Sequence, residues 1–304
     1  MKVTEHEFTL QDRIAKIKSI DEQYDLEHNA YLSFSGGKDS TVLHYLLDEA
    51  LPGNKIPRVF INTGIEYKAI MQFVKEMASK DDRFIIWTVG KNIKDTLQRV
   101  GLPFKSKEHS QKVLEWKKGY RTKSHLNYFR QGDRKTFCCP KMLMYQITDD
   151  FKLKISAECC NEFKKKPIKE YMKQSGRKIT ITGMTRAEGG QRTHLNCVIT
   201  ENNKLKKFHP LAIVDSGWEN WYINQKSIQL CKLYYPPYNF ARSGCCMCPF
   251  SIDLQAQLDT LRKYLPEEAK RAEWLWKDVF DEYRRIGFRL KKENEQPSLF
   301  EEDK

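Results

Sequence analysis

The segment Ser33–Thr41, with the sequence SFSGGKDST, carries the residue types that bind phosphate groups. Two adjacent glycines, Gly36 and Gly37, allow a tight turn whose N–H groups approach an anion closely. The residues that follow begin a helix, and the positive end of its dipole adds to the attraction. The segment therefore predicts a phosphate- or pyrophosphate-binding site. Its members are Ser35, Gly36, Gly37, Lys38, Asp39, Ser40 and Thr41.

The spacing of these glycines differs from that of the Walker motif, in which four residues separate the first glycine from Gly-Lys-Ser/Thr. An ordinary turn between a strand and a helix, with glycines needed only for geometry, is the structural alternative. The six residues Ser35–Ser40 resemble the SGGKDS signature of the PP-loop ATP pyrophosphatases, which cleave ATP between its α and β phosphates. The resemblance favours an ATP site and implies catalytic roles for Lys38 and Asp39.

Nine cysteines form the second group of chemically active residues. In an intracellular chain they indicate metal or redox chemistry rather than disulfides. Their grouping is more informative than their number, since two adjacent pairs and a Cys-x-x-Cys stand apart from two single residues. The pairs are Cys138–Cys139 and Cys159–Cys160, the closing group is Cys245, Cys246 and Cys248, and the single residues are Cys197 and Cys231.

Composition limits the class of protein. The chain has 304 residues, 40% of them hydrophobic, and a formal net charge of +13 from 53 Lys and Arg against 40 Asp and Glu. The charge fits a polyanionic partner such as nucleic acid or a small phosphorylated substrate, and it fits a solvated basic surface equally well. No apolar run has the length of a membrane span, and the first residues lack the apolar core of a signal peptide. We expect a cytoplasmic protein without a membrane partner.

Strand and helix patterns alternate along the chain and predict an α/β fold with a doubly wound, mostly parallel sheet. Ligands of such sheets bind beyond the carboxyl ends of the strands, where the segment after Phe34 and the segment Asn62–Gly64 would meet. We predict one domain over residues 1–250, with a helical, basic insertion at about 101–175. A C-terminal helical extension over 251–304 would contain one charged helix at 266–292 and a disordered tail. The other predicted elements are a helix at 8–28, strands at 58–63, 84–89 and 178–182, a helix at 67–80 and an extended segment at 208–214.

Four further segments resemble the phosphoadenosine phosphosulfate (PAPS) reductase family. They are Ile61–Tyr67, the paired-cysteine segment Cys159–Pro167, the segment Gly183–Glu188 followed by Arg192, and Arg242–Phe250 with its Cys-x-x-Cys. Together with the glycine turn they cover residues 29–250. The resemblance implies an adenine nucleotide alpha-hydrolase-like fold in which Asn62, Thr63 and Gly64 bind nucleotide. It also implies that Arg186 and Arg192 clamp phosphate or sulfate oxygens as catalytic residues.

The resemblance further implies that the two cysteine groups meet in space. In the iron–sulfur members of the family they hold one [4Fe–4S] cluster, and the matching ligands here are Cys159, Cys160, Cys245 and Cys248. Four thiolates suit a cluster or a structural zinc, but adjacent cysteines strain a single tetrahedral zinc, which favours iron–sulfur. Cys138–Cys139 is the weaker candidate pair.

The chain departs from the sulfonucleotide reductases because no cysteine follows Cys248 in the position of their C-terminal nucleophile. The pattern is closer to the members that act in DNA phosphorothioation. It favours an ATP pyrophosphatase/adenylyltransferase that uses magnesium and activates an acceptor, DNA or RNA, for sulfur transfer. A cysteine desulfurase or another sulfur donor would be a partner, and the sequence leaves a homo-oligomer open. The alternatives are a reductase that uses Cys246 or Cys139, and a non-enzymatic subunit that binds nucleotide and cluster.

Overall fold

The computed structural model describes residues 4–292, except for the side chains of Glu188 and Gln191. The strands are β1 Ala30–Ser33, β2 Arg58–Asn62, β3 Phe84–Thr88, β4 Ile179–Ile181, β5 Val198–Glu201 and β6 Lys204–Phe208. The α-helices are α1 Glu5–Tyr24, α2 Leu26–Asn29, α3 Lys38–Ala50, α4 Lys68–Lys80, α5 Ile93–Val100, α6 Lys107–Lys117, α7 Lys123–Tyr128, α8 Lys166–Ser175, α9 Ser216–Gln225, α10 Leu254–Tyr264, α11 Pro266–Leu275 and α12 Lys277–Ile286. Shorter helical turns occur at Lys141–Ile147, Asn161–Lys165, Arg186–Glu188, Gly190–Arg192 and Lys232–Tyr234. The predicted disordered tail lies outside the described residues.

The strands form one sheet in the order β3-β2-β1-β4-β6-β5. All neighbours pair in parallel except β5 and β6, which are antiparallel. The chain starts in the middle at β1, builds outward through β2 and β3, and then continues on the other side through β4. This reversal beside β1 is the switch point at which sheets of this class bind ligands. The predicted α/β fold with a mostly parallel sheet is confirmed.

One face of the sheet buries an aromatic cluster. Tyr31 of β1, Val59 of β2 and Tyr171 of α8 form its centre. The Tyr31 hydroxyl lies 2.8 Å from Thr180 Oγ1 on the neighbouring strand, which satisfies the polar end of a side chain that is otherwise fully buried. This packing anchors β1, and the glycine turn follows the carboxyl end of that strand.

The chain divides into two compact units. The sheet unit contains residues up to Val89 together with Lys166–Gly244, and the helical unit contains Gly90–Lys165 together with the residues from Cys245 onward. The predicted division at residue 250 stays a prediction. Among residues 4–292, no helix combines the length and the hydrophobicity that a membrane span requires.

Several predicted elements differ from the structure at their ends. The predicted helix 8–28 begins earlier, because Thr4 and Glu7 form a capping box, and it is interrupted at Asp25 in a left-handed conformation. The predicted helix 266–292 is wrong as one element. It breaks at Trp276, which has φ −101° and ψ 14°, and it ends at Gly287 with φ 64°.

The hairpin of β5 and β6 was not predicted, and the expected extended segment 208–214 was wrong. Asn202 and Asn203 both have positive φ, 51° and 59°, as a tight turn between antiparallel strands requires. Strand β6 then ends at Phe208, and the chain turns instead of continuing extended. The adjacent asparagines were the available signal for this hairpin.

Candidate nucleotide and metal sites

The glycine turn connects β1 to α3 within the sheet unit. Its amides have hydroxyl partners, since Gly37 N donates to Ser35 Oγ at 3.3 Å and Lys38 N donates to Tyr234 OH at 3.1 Å. The hydroxyls of Ser40 and Thr41 donate to the Gly37 carbonyl at 3.0 and 2.9 Å and hold the first turn of the helix. The predicted anion donors therefore converge at a helix N-terminus, where hydroxyl oxygens accept from them.

Three glycines are required by close contacts. Gly36 has φ +71°, and a Cβ there would lie 3.0 Å from both Ile70 and Val74 of α4. A Cβ on Gly183, just after β4, would lie 2.6 Å from the Asp39 carbonyl oxygen. A Cβ on Gly37 would meet polar atoms, the nearest of which is Ser243 Oγ at 2.9 Å. The predicted segment after β4 is thus packed directly against the start of α3.

Lys38 forms an ion pair that the sequence did not reveal. Its Nζ lies 2.8 Å from Glu219 Oε2 on α9, and the Glu219 side chain is 4% exposed. Glu219 Oε1 is buried and has no hydrogen-bond partner among the described residues. Burial raises the pKa of Glu219, and the nearby negative charge of Asp39 raises it further. A buried carboxylate oxygen without a partner marks this position as a functional candidate.

One of the two predicted arginines, Arg192, acts electrostatically on Asp39. Burial raises the pKa of Asp39, while Lys38, Arg242 and Arg192 act in the opposite direction. Burial and the neighbouring Arg242 lower the pKa of Arg192. Arg186 is exposed, and its Nε donates to the Leu195 carbonyl at 2.8 Å. The clamp by both arginines stays a prediction. Arg242 is the first residue of the segment Arg242–Phe250, and no sequence pattern indicates a role for it.

The segment after β2 is held by its own side chains. Asn62 Oδ1 accepts from Gly64 N at 3.2 Å, and Thr63 Oγ1 donates to Glu66 Oε1 at 2.7 Å. Thr63 is 2% exposed, so its hydroxyl shapes the turn. The side chain of Asn62 also donates to Thr88 at the end of β3, at 3.3 Å. This segment lies at the carboxyl edge of the sheet, as predicted.

Tyr234 and Ser243 were missed by the sequence analysis. The Tyr234 hydroxyl lies 2.7 Å from Ser243 Oγ and accepts from Ser243 N at 3.2 Å, in addition to its bond with Lys38 N. Burial raises the pKa of Tyr234, so the phenol stays protonated at neutral pH. A lone tyrosine between two loops has no sequence signal, and only the fold brings it to the glycine turn.

All four predicted metal ligands lie in the helical unit. Cys159 and Cys160 precede the turn Asn161–Lys165, while Cys245 and Cys248 share a turn in which Cys248 N donates to Cys245 O at 3.1 Å. The thiols influence one another electrostatically. The pKa of Cys159 is raised by its hydrogen bond with Cys160 and by burial, and Cys248 and Cys245 raise it further.

Cys160 is the thiol that is poised to ionise. Its hydrogen bond with Cys159 lowers its pKa, and Lys107, Lys164 and Lys165 lower it further. As arranged in residues 4–292, however, no group of three or more His, Cys, Asp and Glu side chains forms a metal-binding set. Four cysteine thiols have the chemistry of a thiolate-held metal group. As they are arranged in the described residues, their side chains do not form its coordination shell.

The Cys-x-x-Cys loop is held by the C-terminal helices of the same unit. Trp276 Nε1 donates to the Cys246 carbonyl at 2.9 Å, and Tyr283 OH donates to the Pro249 carbonyl at 2.8 Å. Cys246 itself is 2% exposed and packs against Glu268, whose carboxylate lies 3.8 Å from the sulfur. Cys246, which lies between the two cysteines of the Cys-x-x-Cys motif, is thus buried.

The weaker candidate pair lies elsewhere in the helical unit. Cys139 is fully buried, with its sulfur 4.0 Å from His109 Nδ1, and burial raises its pKa to about 11. Cys138 donates to the Arg134 carbonyl at 3.2 Å. Burial and a raised pKa make Cys139 a poor nucleophile.

The fold defines an α/β protein whose glycine turn lies at the switch point of a mostly parallel sheet. The family model of the phosphoadenosine phosphosulfate reductase domain matches residues 29–137 and 140–251, which is more than half of the chain. The chain belongs to this family, and the predicted family is confirmed.

The chain is also similar to a curated protein of an archaeon. The uncharacterized protein MJ0973 of Methanocaldococcus jannaschii is 25% identical over 264 residues, which cover 81% of this chain and 51% of the relative. The chain thus spans about half the length of the curated relative that it matches.

The chain is also similar to several solved structures, at low sequence identity and low TM-score. The PAPS reductase of Candida auris is 13% identical over 77% of this chain and 92% of its own, with a TM-score of 0.40. FMN adenylyltransferase of Candida glabrata in complex with ATP is 15% identical over 77% and 61%, with a TM-score of 0.42. The U34-tRNA thiolase NcsA of Methanococcus maripaludis, with its [4Fe-4S] cluster, is 16% identical over 93% and 80%, with a TM-score of 0.39. Likeness at this level carries no information about activity.

Proposed function

We propose that the protein is an ATP pyrophosphatase/adenylyltransferase that activates an acceptor for sulfur transfer. The observation that supports this most is the set of charges at the start of α3. Lys38, Arg192 and Arg242 all act on the carboxyl of Asp39, beside amides at a helix N-terminus. Three cations around one carboxylate suit a polyphosphate with a bound divalent cation.

The proposed reaction has two steps. An oxygen of the acceptor attacks the α-phosphorus of ATP, the bond to the bridging oxygen of the β-phosphate breaks, and pyrophosphate leaves. Sulfide-level sulfur from the donor then attacks the acceptor atom that carries this oxygen, the bond between that atom and the oxygen breaks, and AMP leaves with the acceptor oxygen. The amides of Gly37 and Lys38 would exchange their hydroxyl partners for pyrophosphate oxygens, and Arg192 would neutralise charge on the leaving group.

The protein's own residues have separate tasks in this scheme. Lys38 would move from Glu219 to the phosphates, and Asp39 would hold magnesium, which would neutralise charge on the phosphates. The backbone of Asn62–Gly64, rigid through its internal hydrogen bonds, would face the nucleoside. Arg186 is exposed and would contact the acceptor.

Cys159, Cys160, Cys245 and Cys248 would hold a [4Fe–4S] cluster. With four cysteines as its ligands, such a cluster would supply electron transfer and electrostatic stabilisation, and the sulfur itself would come from a donor such as a cysteine desulfurase. Lys107, Lys164 and Lys165 keep the neighbourhood of Cys160 positive, which favours thiolate over thiol. The proposal includes a nucleic-acid acceptor, supported by the net charge of +13, and a cytoplasmic location.

The test is turnover of ATP by anaerobically purified protein. We expect AMP and pyrophosphate, an oxygen-sensitive brown colour, about four irons per chain and co-purifying nucleic acid. Binding of ATP without AMP formation, with and without that nucleic acid, would contradict the enzyme and favour a non-enzymatic subunit. Stoichiometric zinc without iron would contradict the cluster alone.

A reductase is the second candidate, favoured by the family itself. It requires an accessible thiolate, whereas Cys139 and Cys246 are buried and burial raises the pKa of both. Release of sulfite from PAPS or adenylyl sulfate with a thiol reductant would establish the reductase and contradict the sulfur transferase.

A further inference from the structure

One segment of the helical unit combines exposed aromatic rings with a high density of positive charge. It runs from the end of α6 through α7 to the loop before Cys138, residues 117–137, and we call it the aromatic–basic segment. Phe137 is 82% exposed and Tyr120 is 55% exposed. Single exposed rings are common on protein surfaces, so it is the combination of two such rings with dense positive charge that distinguishes this segment.

Each exposed ring has a flat or cationic neighbour. The guanidinium of Arg134 lies 5.4 Å from the centre of the Phe137 ring. The Tyr120 ring stacks on His125, with ring centres 6.4 Å apart and planes 27° from parallel. Rings of this kind offer a second, open face to another flat group.

Hydrogen bonds and ring contacts support the position of Tyr120. Arg121 covers Trp116, with its guanidinium 3.7 Å from the ring centre, and donates to the carbonyls of Trp116 and Tyr120 at 2.7 and 2.9 Å. His125 lies 2.7 Å from both Thr122 Oγ1 and Glu115 Oε2. Tyr120 is thus held in place before any partner binds, which lowers the entropy cost of binding.

The charge of the chain is concentrated around this segment. Residues 90–165 contain 18 Lys and Arg against 8 Asp and Glu, which accounts for +10 of the net +13. Within 117–137 the balance is seven to one, and Asp133 is the acidic residue. The seven basic residues are all exposed: Lys117, Lys118, Arg121, Lys123, Arg130, Arg134 and Lys135.

We propose that the aromatic–basic segment binds single-stranded nucleic acid, with bases stacked on Tyr120 and Phe137 and phosphates paired with the surrounding Lys and Arg. Bases stack on protein rings only when they are not stacked on each other, which favours a single strand or loop over a duplex. An acidic protein would satisfy the charges but would leave the two exposed rings unused. The inference deepens the proposed function and depends on it in taking the acceptor to be nucleic acid.

The test measures fluorescence anisotropy of labelled 20-nucleotide RNA and DNA single strands and of a matched duplex, across a range of salt concentrations. Tyr120→Ala with Phe137→Ala should weaken single-strand binding about 10- to 100-fold, as expected for two lost stacking contacts, at an unchanged salt slope. Arg134→Gln with Lys135→Gln should lower the slope. Phe8→Ala is the matched control, since this ring is 70% exposed on α1 of the sheet unit, and it should change nothing.

The outcomes separate this inference from the proposed function. Normal single-strand binding by the Tyr120→Ala, Phe137→Ala variant would overturn the assignment of the aromatic–basic segment as the binding site. It would leave the proposal of a nucleic-acid acceptor intact. Tighter binding of the duplex would overturn the single-strand assignment. No binding of any strand by the unmodified protein at low salt would overturn the segment and the nucleic-acid acceptor together, while AMP formation from ATP is measured independently.

Discussion

Gly37 would contribute to the proposed nucleotide site because it has no side chain. Its φ of −83° suits any residue, so its conformation does not require glycine. A Cβ would lie 2.9 Å from Ser243 Oγ, 3.2 Å from Ser35 Oγ and 3.3 Å from Tyr234 OH. The position therefore keeps open the polar surface on which the amides of the turn depend.

Gly37→Val should abolish ATP binding, because the side chain would displace these hydroxyls and fill the place of the phosphate. Isothermal titration calorimetry measures the change, and a melting temperature shows that the variant folds. Gly53→Ala is the control, since Gly53 has φ +76° and open space around it, so it carries backbone strain without touching the site. Unaltered ATP affinity in Gly37→Val would refute the nucleotide site.

At the proposed nucleotide site, Glu219 would compete with phosphate for Lys38. In the ion pair at 2.8 Å the buried carboxylate holds the ammonium group, and its charge also repels a polyanion. Glu219→Gln should raise the affinity for magnesium-free ATP about threefold to tenfold, equivalent to about 1 kcal/mol. Calorimetry in EDTA measures this effect. A weaker affinity would show that Glu219 supports nucleotide binding instead of opposing it.

His109 should make stability depend on pH. It is fully buried between Tyr128 OH at 3.0 Å and Gln146 Oε1 at 2.7 Å. Burial lowers its pKa to about 4, and the charges of Lys105 and Arg289 act in the same direction. Because the unfolded histidine titrates near 6.5, the unfolded state binds more protons between pH 6.5 and 4, and stability falls as pH falls through this range.

Urea denaturation of the unmodified protein and of His109→Gln tests this dependence. From pH 6.5 to pH 5 the unmodified protein should lose about 2 kcal/mol more than the variant, which lacks the titrating group. The comparison removes the contributions of His44 and His209, whose pKa values are also about 4. Parallel pH profiles would contradict a neutral, buried His109.

At the scale of elements, α12 and the break before it hold the Cys-x-x-Cys loop. Trp276 is 2% exposed and bonds the Cys246 carbonyl, whereas Trp274, two residues earlier, is 57% exposed. Trp276→Phe leaves that carbonyl without its partner and should cost about 1–3 kcal/mol of unfolding free energy. It should also speed the loss of iron from anaerobically prepared protein.

Trp274→Phe is the matched control for this prediction, because it makes the same change outside the core. Its stability and its iron content should stay near those of the unmodified protein. Equal loss of iron from both variants would mean that the C-terminal helices do not support the loop.

At the scale of the whole molecule, positive charge is densest in residues 90–165 of the helical unit. The helical unit contains the segment of 18 basic and 8 acidic residues, including the lysines near Cys160. Lys164→Glu with Lys165→Glu should lower the salt slope of nucleic-acid binding by about 1–2, because fewer counterions are released. ATP binding in the sheet unit should not change.

Lys204→Glu with Lys207→Glu provides the same change of charge in the sheet unit, on exposed positions of β6. This variant should keep the full salt slope. An equal decrease in both variants would show that binding follows net charge and not the charge of the helical unit.

The sequence alone determined the features that depend on neighbours along the chain. Glycine turns, strand and helix periodicity and the order of the motifs are local, and they predicted the parallel sheet, the glycine turn before α3 and the family. Helix ends were less predictable, since the left-handed Gly287 and the break at Trp276 depend on packing. The assignment of the four cysteines to one metal group remains a prediction.

The tertiary structure decided which distant side chains act on the site. Glu219 and Tyr234 lie about 180 and 200 residues after Lys38, and neither belongs to a motif, yet each bonds Lys38. Arg186 and Arg192 look equivalent in the sequence, but only Arg192 is seen to act on Asp39. Long-range contacts of this kind arise from the order of the strands and the packing of α9 on α3, which no local pattern encodes.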